Sequence, residues 1–185
     1  MEKKIILGNS EHSLAVSVFG ANDPRPGDAA YEVARSVGGK LAELGYGIVN
    51  GGYGGTMEAS ARGAKEVEGR TVGVTCSIWK SQPNPYIDEV VRTEGLQQRV
   101  DKLVELGRGG YVVLPGATGT LVELATVWER MCKGLLEQRP LVCVGSFWWP
   151  VVELMRSARP RCGELVQLAG GSEELALYFR EGKSL

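Results

Sequence analysis

The sequence predicts a single α/β domain, built as a doubly wound, mostly parallel sheet with helices on both faces. Strand-like and helix-like segments alternate along the chain, which is the order that parallel sheets require. The predicted strands are continuous apolar runs, as is typical of strands covered on both faces. Glycine-rich loops follow three of these strands, at Gly20, at 51–55 and at 115–120. In such folds the ligand lies beyond the carboxyl ends of the strands, where these loops would meet.

Each predicted strand is a short run of apolar, mostly β-branched or aromatic residues bounded by turn-forming residues. In chain order the predicted strands are residues 14–19, 46–49, 70–76, 87–91, 111–114, 141–144 and 165–168. The predicted helices show apolar residues at helical spacing and cover residues 28–44, 57–68, 93–107, 121–136, 149–157 and 172–180. We assign residues 1–13 to a polar lead of unassigned role and residues 14–185 to the single domain.

Individual residues support the limits of these helices. Gly45 follows the first helix and suits a C-terminal cap. Ser172 precedes two glutamates, Glu173 and Glu174, and suits an N-cap. Gly63 inside the second helix costs roughly 1 kcal/mol relative to alanine, unless a close neighbour requires it. The 77–88 segment holds two prolines and is predicted to be an irregular excursion.

Composition excludes several functional classes. The 185 residues carry 21 basic and 22 acidic side chains, a net charge of −1, which does not favour a protein that binds nucleic acid through its phosphates. Apolar runs are too short for a membrane span or a signal peptide. We therefore expect a cytoplasmic protein that binds neither nucleic acid nor membrane.

The cysteines and the histidine exclude further chemistry. Cys76, Cys132, Cys143 and Cys162 show no metal-binding spacing, and we interpret them as buried free thiols. His12 is the only histidine in the sequence, so neither the usual zinc sites nor Ser-His-Asp catalysis is expected.

The most informative stretch is residues 111–129. A buried strand turns through the small residues of the 115–120 loop directly into a helix. This construction leaves free backbone N–H groups at the positive end of the helix dipole, where a phosphate or carboxylate binds well. Glu123 lies one turn inside the same helix. The sequence therefore predicts an anion cradle with a carboxylate beside it.

Arg99 joins this site by topology. It lies near the start of the predicted helix 93–107, which runs antiparallel to the strand at 111–114. The start of that helix therefore lies at the same edge of the sheet as the 115–120 loop. An arginine there suits a ligand phosphate, because its guanidinium forms charge-assisted and even bidentate hydrogen bonds.

These residues resemble the LONELY GUY (LOG) family. The resemblance rests on Arg99 followed by Leu-Pro-Gly-Ala-Thr-Gly-Thr-Leu-Val-Glu at 114–123, and it extends over nearly the whole chain. Residues 18–22 resemble the family's first strand and loop, and residues 50–59 its second glycine loop. Phe147-Trp148-Trp149-Pro150 stands where the family has an aromatic-x-x-Pro segment.

The resemblance implies a Rossmann-like fold, usually dimeric, and the activity of a cytokinin riboside 5'-monophosphate phosphoribohydrolase. Members of the family were once labelled lysine decarboxylases. The implied substrate is a purine nucleoside 5'-monophosphate such as AMP or an N6-modified AMP, cleaved to free base and ribose 5-phosphate without metal or cofactor. Arg99 and Glu123 would be catalytic. The implied substrate-binding residues are Gly116, Ala117, Thr118, Gly119, Thr120, Gly51, Gly52, Gly54 and Asn22.

Simpler interpretations remain open beside these. The chain departs from the family pattern at Ala117, where a glycine is usual, and at Val100, where a lysine is usual. Thr120 and Glu123 also fit a capping box, in which the carboxylate only satisfies a backbone N–H. Arg99 also fits a solvated ion pair on its own helix. A non-catalytic binder of nucleotides or of a molybdenum cofactor on the same scaffold is the alternative function.

Overall fold

The computed structural model describes residues 14–179, which form one seven-stranded sheet. Across the sheet the strands lie in the order Glu89–Thr93 (β4), Thr71–Cys76 (β3), Gly47–Asn50 (β2), Ala15–Phe19 (β1), Gly110–Val113 (β5), Leu141–Val144 (β6) and Gln167–Ala169 (β7). Every neighbouring pair of strands is parallel. The predicted fold class is therefore confirmed. The polar lead assigned to residues 1–13 lies outside the described residues.

Strands and helices alternate along most of the chain. The strands are β1 (Ala15–Phe19), β2 (Gly47–Asn50), β3 (Thr71–Cys76), β4 (Glu89–Thr93), β5 (Gly110–Val113), β6 (Leu141–Val144) and β7 (Gln167–Ala169). The helices are α1 (Ala29–Glu43), α2 (Thr56–Glu66), α3 (Leu96–Leu106), α4 (Thr118–Cys132), α5 (Trp149–Ala158) and α6 (Pro160–Gly163). A 3-10 helix, Ser172–Leu177, follows β7.

Both faces of the sheet are buried. In β5, Val112 joins the apolar cluster that packs beneath α1 and α2, whereas Tyr111 and Val113 join the cluster beneath α3, α4 and α5. Successive strand residues point to opposite faces, so a strand covered on both sides is apolar at every position. The continuous apolar runs of the sequence therefore reflect a genuine two-sided core.

Several predicted limits were wrong. Thr93 ends β4 rather than beginning a helix, because it pairs with Cys76 in β3 and its hydroxyl donates to the Thr75 carbonyl at 2.9 Å. Helix α4 begins at Thr118 instead of 121, since the Leu121 amide already donates to the Ala117 carbonyl at 3.0 Å.

The end of the described chain also differs from the prediction. Helix α6 was not predicted, because four residues are too few to show helical periodicity. Residues 172–177 form a 3-10 helix instead of an α-helix. The end predicted for that helix, at residue 180, lies outside the described part of the chain.

The interpretation of all four cysteines as free thiols was wrong for two of them. Cys132 and Cys162 form a disulfide that ties the end of α4 to α6, with 5.3 Å between their Cα atoms. They lie 30 residues apart in sequence, and only the unpredicted α6 brings them together. Cys76 and Cys143 are free and buried, as expected.

The fold places the predicted loops at one edge of the sheet. Gly20, the 51–55 loop and the 115–120 loop follow β1, β2 and β5, and parallel strands bring their carboxyl ends to a common edge. Among residues 14–179, no helix is both long enough and apolar enough to span a bilayer.

Candidate active site

A cavity of about 470 Å³ opens at the carboxyl edge of the sheet. The loops that follow β1, β2, β3 and β5 contribute to its wall, together with the first turns of α2, α3 and α4. Its volume lies in the range of small-molecule sites, roughly 300–1,000 Å³. The edge predicted to hold the ligand therefore carries a cavity of suitable size.

Arg99 projects from the first turn of α3 into this cavity, and its side chain is largely buried. Its Nε donates to the Val74 carbonyl in β3, at 2.8 Å, and its Nη2 lies 3.9 Å from Met57 Sδ. A Cβ on Gly51 would lie 1.8 Å from Nη2, so only glycine at this position leaves room for the guanidinium. Gly51 of the 51–55 loop thus leaves the space in which Arg99 is held.

Glu123 is the acidic partner of Arg99. The two side chains come from α4 and α3, and Glu123 Oε1 lies 3.5 Å from Arg99 Nη1. Only 8% of Glu123 is exposed, and burial raises the pKa of its carboxyl group from 4.5 to about 7, although the charge of Arg99 acts in the opposite direction. Near neutral pH this carboxyl group is poised between its two protonation states.

The structure does not support the two simpler interpretations of this pair. Thr120 is the third residue of α4 and makes no side-chain cap, so Thr120 and Glu123 do not form a capping box. Arg99 pairs with Glu123 across two helices, not with Glu94 or Asp101 on its own segment, and Asp101 pairs with Arg130.

The start of α4 is the part of the cavity wall best suited to bind an anion. Ala117, Thr118 and Gly119 are exposed, and the first amides of a helix have no partner within it. A Cβ on Gly119 would meet no atom within 4 Å, so nothing in the described chain fills the space above that position. The free amides and the dipole of this 15-residue helix therefore favour an anion at its N-terminus.

The start of α2 is less suited to bind an anion, although it also borders the cavity. Thr56 is buried there, and both its amide and its hydroxyl donate to the Ala21 carbonyl at 2.9 Å. The first amide of α2 therefore already has a partner. Of the two helix N-termini, α4 offers the accessible donors.

Most of the predicted site residues line the cavity. These are Arg99, Glu123, Ala117, Gly119, Thr120, Gly51, Gly54 and Asn22. Three predicted residues do not: Gly116, Thr118 and Gly52. Gly116 packs against the Thr120 side chain, where a Cβ would lie 2.2 Å from Oγ1. Gly52 donates its amide to Asn50 Oδ1 at 2.8 Å and has a φ of +78°, so it serves the turn.

The cavity also contains residues that the sequence analysis did not select. Tyr53, Met57, Trp79, Ser81 and Gln82 line it, the last three from the 77–88 excursion. The sequence did contain a signal for this part of the cavity wall. Trp79 lies in a polar, proline-containing segment, where an indole side chain has no β-sheet face to pack against. No cluster of three or more His, Cys, Asp or Glu side chains able to hold a metal occurs within residues 14–179.

Comparison with known proteins shows which proteins this chain resembles. The model of the SLOG cluster4 family matches residues 13–144. The chain is 34% identical over 139 residues to an uncharacterized protein of Archaeoglobus fulgidus, covering 71% of this chain and 85% of that protein. It is 31% identical over 132 residues to a cytokinin riboside 5'-monophosphate phosphoribohydrolase of Mycobacterium tuberculosis, covering 70% and 69% of the two chains. These matches confirm the LOG-like resemblance.

A solved structure confirms the fold in turn. The molybdenum cofactor binding protein of the phototrophic bacterium Rippkaea orientalis superposes with a TM-score of 0.71, covering 91% of this chain and 96% of that one. Sequence identity in this pair is 24%, so the likeness concerns the fold alone.

Proposed function

We propose, from the premise that this chain belongs to the SLOG cluster4 family, that it hydrolyses the N-glycosidic bond of a purine nucleoside 5'-monophosphate. The products are the free base and ribose 5-phosphate, and AMP or an N6-modified AMP is the expected substrate. A relative with 31% identity carries the name of a nucleotide phosphoribohydrolase, which supports this reaction class.

One observation carries the proposal. A buried carboxylate, Glu123, lies 3.5 Å from the guanidinium of Arg99, in a cavity whose wall includes the open start of α4. A buried ion pair carries a desolvation cost and is weak evidence for a stabilising role, and titratable groups with shifted pKa values cluster at functional sites. An anion site and a catalytic carboxyl group about one helical turn apart match the separation between a 5'-phosphate and the ribose it is attached to.

Glu123 has the central role in the proposed chemistry. With the phosphate held by the free amides of residues 118–120, the ribose lies against Glu123. Breaking the glycosidic bond leaves an oxocarbenium-like sugar, which the negative carboxylate stabilises. The bonding electron pair departs with the base nitrogen, which takes up a proton. A water oxygen bonds to C1' and gives a proton to Glu123, which then releases it, so one water is consumed in each turnover.

Arg99 has a supporting role. Its Nε is occupied by the Val74 carbonyl and its Nη2 lies against Met57 Sδ, which leaves Nη1 to face Glu123 and the ligand. From there Arg99 keeps part of the Glu123 population ionised and contacts the phosphate or the departing base.

The decisive experiment is a panel of nucleoside monophosphates with chromatographic detection of released base. The wild-type protein is expected to release adenine from AMP. Glu123→Gln keeps the shape of the side chain and removes its charge, so base release should fall by about a hundredfold or more while AMP binding persists. Arg99→Ala should lower turnover and also weaken binding.

A matched control lies on the same helix. Glu129 is exposed and pairs with Lys133 at 3.6 Å, so Glu129→Gln removes a carboxylate from α4 outside the cavity and should leave turnover unchanged. Near wild-type base release by Glu123→Gln would remove Glu123 from the mechanism and contradict the proposal.

The alternative is a carrier that binds its ligand without cleaving it. It is supported by the likeness of the fold to a molybdenum cofactor binding protein and by Ala117, where the LOG pattern has glycine. The same panel separates the two functions. Tight nucleotide binding without release of any base would favour the carrier.

A further inference from the structure

The 77–88 segment, which follows β3, forms one wall of the cavity through Trp79, Ser81 and Gln82. We call it the 77–88 loop. None of these side chains has a role in the chemistry proposed above. Two features of the loop, its attachment to the rest of the site and the exposure of its indole, indicate what it does.

The 77–88 loop is hydrogen-bonded to the 51–55 loop, which follows β2. Asn84 is buried, and its Nδ2 donates to the carbonyls of Gly52 and Tyr53, at 3.2 and 2.8 Å. Its backbone amide also donates to the Gly52 carbonyl, at 2.8 Å. The Tyr53 hydroxyl accepts from the Cys76 amide at 2.9 Å and lies 3.2 Å from the Cys76 carbonyl, to which it donates. The loop is thus held in place before any ligand arrives.

Trp79 is held against two residues of the site. Its ring meets the Tyr53 ring edge to face, with 5.8 Å between centroids, and the Arg99 guanidinium carbon lies 5.4 Å from its centroid. Yet 41% of Trp79 remains exposed, and the residue lines the cavity. Leaving so much aromatic surface in water is unfavourable, and a flat ring system stacked on it would remove that cost.

The neighbours of Trp79 suit the edge of such a ring. Ser81 and Gln82 are exposed, line the same cavity, and make no hydrogen bond with any residue the structure describes. A hydroxyl and a carboxamide together offer donors and acceptors that match the polar edge of a heterocyclic base. A stacking surface beside unpaired polar groups is how proteins bind an unstacked base.

We infer that the 77–88 loop is the base-recognition element of this site, with Trp79 stacking on the base and Ser81 and Gln82 contacting its edge. The inference rests on the proposed function for the direction of the ligand. With the phosphate at the start of α4 and the ribose at Glu123, the base extends past Arg99 to the indole. Because a fused two-ring base covers more of the indole than a single ring, the loop selects purine over pyrimidine monophosphates.

The test compares wild-type protein with Trp79→Ala, Trp79→Phe and Gln82→Ala, using AMP, GMP, CMP and UMP as substrates and ribose 5-phosphate as a competing product. Trp79→Ala should raise the KM for AMP about tenfold or more and reduce the preference for purines. Its affinity for ribose 5-phosphate should not change, because that product has no base. Trp79→Phe should retain most of the AMP affinity, and Gln82→Ala should alter the ratio of AMP to GMP turnover.

A control residue lies beside Trp79. Ile78 is also exposed on the loop but does not line the cavity, so Ile78→Ala should behave as wild type. Unchanged KM and base preference in both Trp79→Ala and Gln82→Ala would overturn the inference while leaving the proposed hydrolysis intact.

Direct binding keeps the inference separate from the reaction. If no nucleotide releases its base, the proposed hydrolysis is refuted. Quenching of tryptophan fluorescence by AMP that is lost in Trp79→Ala and absent with ribose 5-phosphate would still support base recognition. If AMP and ribose 5-phosphate bind equally well to wild-type protein, the inference fails.

Discussion

At the residue scale, Glu123 links function to stability. Its folded pKa of about 7 lies above its ordinary value of 4.5 because burial disfavours the charged carboxylate. Between these two values the folded protein binds more protons than the unfolded chain. The free energy of unfolding therefore decreases as the pH rises from about 4.5 to about 7. A group that is useful at neutral pH thus destabilises the fold there.

Glu123→Gln removes this titration. We expect the variant to be more stable than wild type above pH 7, by up to about 3 kcal/mol, and the difference to be smaller at pH 5. Urea denaturation at pH 5 and pH 8 measures it, with Glu129→Gln as the control on the same helix. A variant less stable than wild type at both pH values would contradict the prediction, because it would indicate a structural carboxylate.

Gly119 allows a second test at a single position. A Cβ there would enter open space at the second position of α4, so Gly119→Ala should fold normally, with at most about 1 kcal/mol of added helix stability. The same methyl group would crowd an anion held by the amides of residues 118–120. We expect weaker inhibition by ribose 5-phosphate. Adenosine, which has no phosphate, should bind as it does to wild type, and equal losses for both ligands would show that the phosphate lies elsewhere.

At the scale of elements, the disulfide between α4 and α6 is a tether of the fold rather than part of the site. Cys132 is the last residue of α4, at the opposite end of the helix from the cavity. Trp128 reinforces the same junction, since its Nε1 donates to the Cys162 carbonyl at 2.7 Å. Closing a loop across 30 residues restricts mainly the unfolded chain.

The double variant Cys132→Ser, Cys162→Ser should therefore lose stability and keep its turnover. The loop-entropy relation gives a decrease of about 3–4 kcal/mol in the free energy of unfolding. Denaturation with and without dithiothreitol measures this, because the reductant should destabilise wild type and have no further effect on the variant. A stable variant with impaired base release would instead connect the disulfide to the site.

The accuracy of the sequence predictions also varied between elements. The central strands β1, β2, β5 and β6 were recognisable because a two-sided core makes them largely apolar. Gly63 was expected to need a close neighbour, and a Cβ there would lie 1.9 Å from the Arg35 carbonyl of α1. Helix α6 was missed because its four residues are too few to show helical periodicity. Spacing alone also left Glu123 ambiguous, since only the start of α4 at Thr118 separates a cap from a cavity carboxylate.

At the scale of the whole molecule, the apolar surface favours assembly, although not through all the residues first expected. The predicted helix 121–136 contains three apolar residues that would offer a dimer surface, Trp128, Met131 and Leu135, but Trp128 and Met131 are buried within the chain. Leu135 is exposed. Further large exposed apolar side chains lie on or beside α4 and α5: Leu121, Val122, Phe147, Trp149, Leu154 and Met155.

We predict a two-fold homodimer formed by α4 and α5. A stable interface buries about 800 Å² on each partner, and two helices with exposed leucine and aromatic side chains can supply such an area. Leu154, 62% exposed on α5, is a suitable position to test, and Leu154→Glu should give a monomer. Light scattering coupled to size-exclusion chromatography at micromolar concentration measures the mass.

The matched control is Leu177→Glu. Leu177 is 73% exposed at the end of the 3-10 helix, whose Leu175 packs into the core on the other face of the sheet. The same new charge placed there should leave the dimer intact, because it lies away from α4 and α5. A monomeric wild-type protein would contradict the prediction outright. Dissociation by both variants would show that charge, rather than the α4 and α5 surface, controls the mass. Since Leu121 and Val122 immediately precede Glu123, a dimer through this surface would place the partner subunit next to the cavity, and Leu154→Glu should then also alter the KM for AMP.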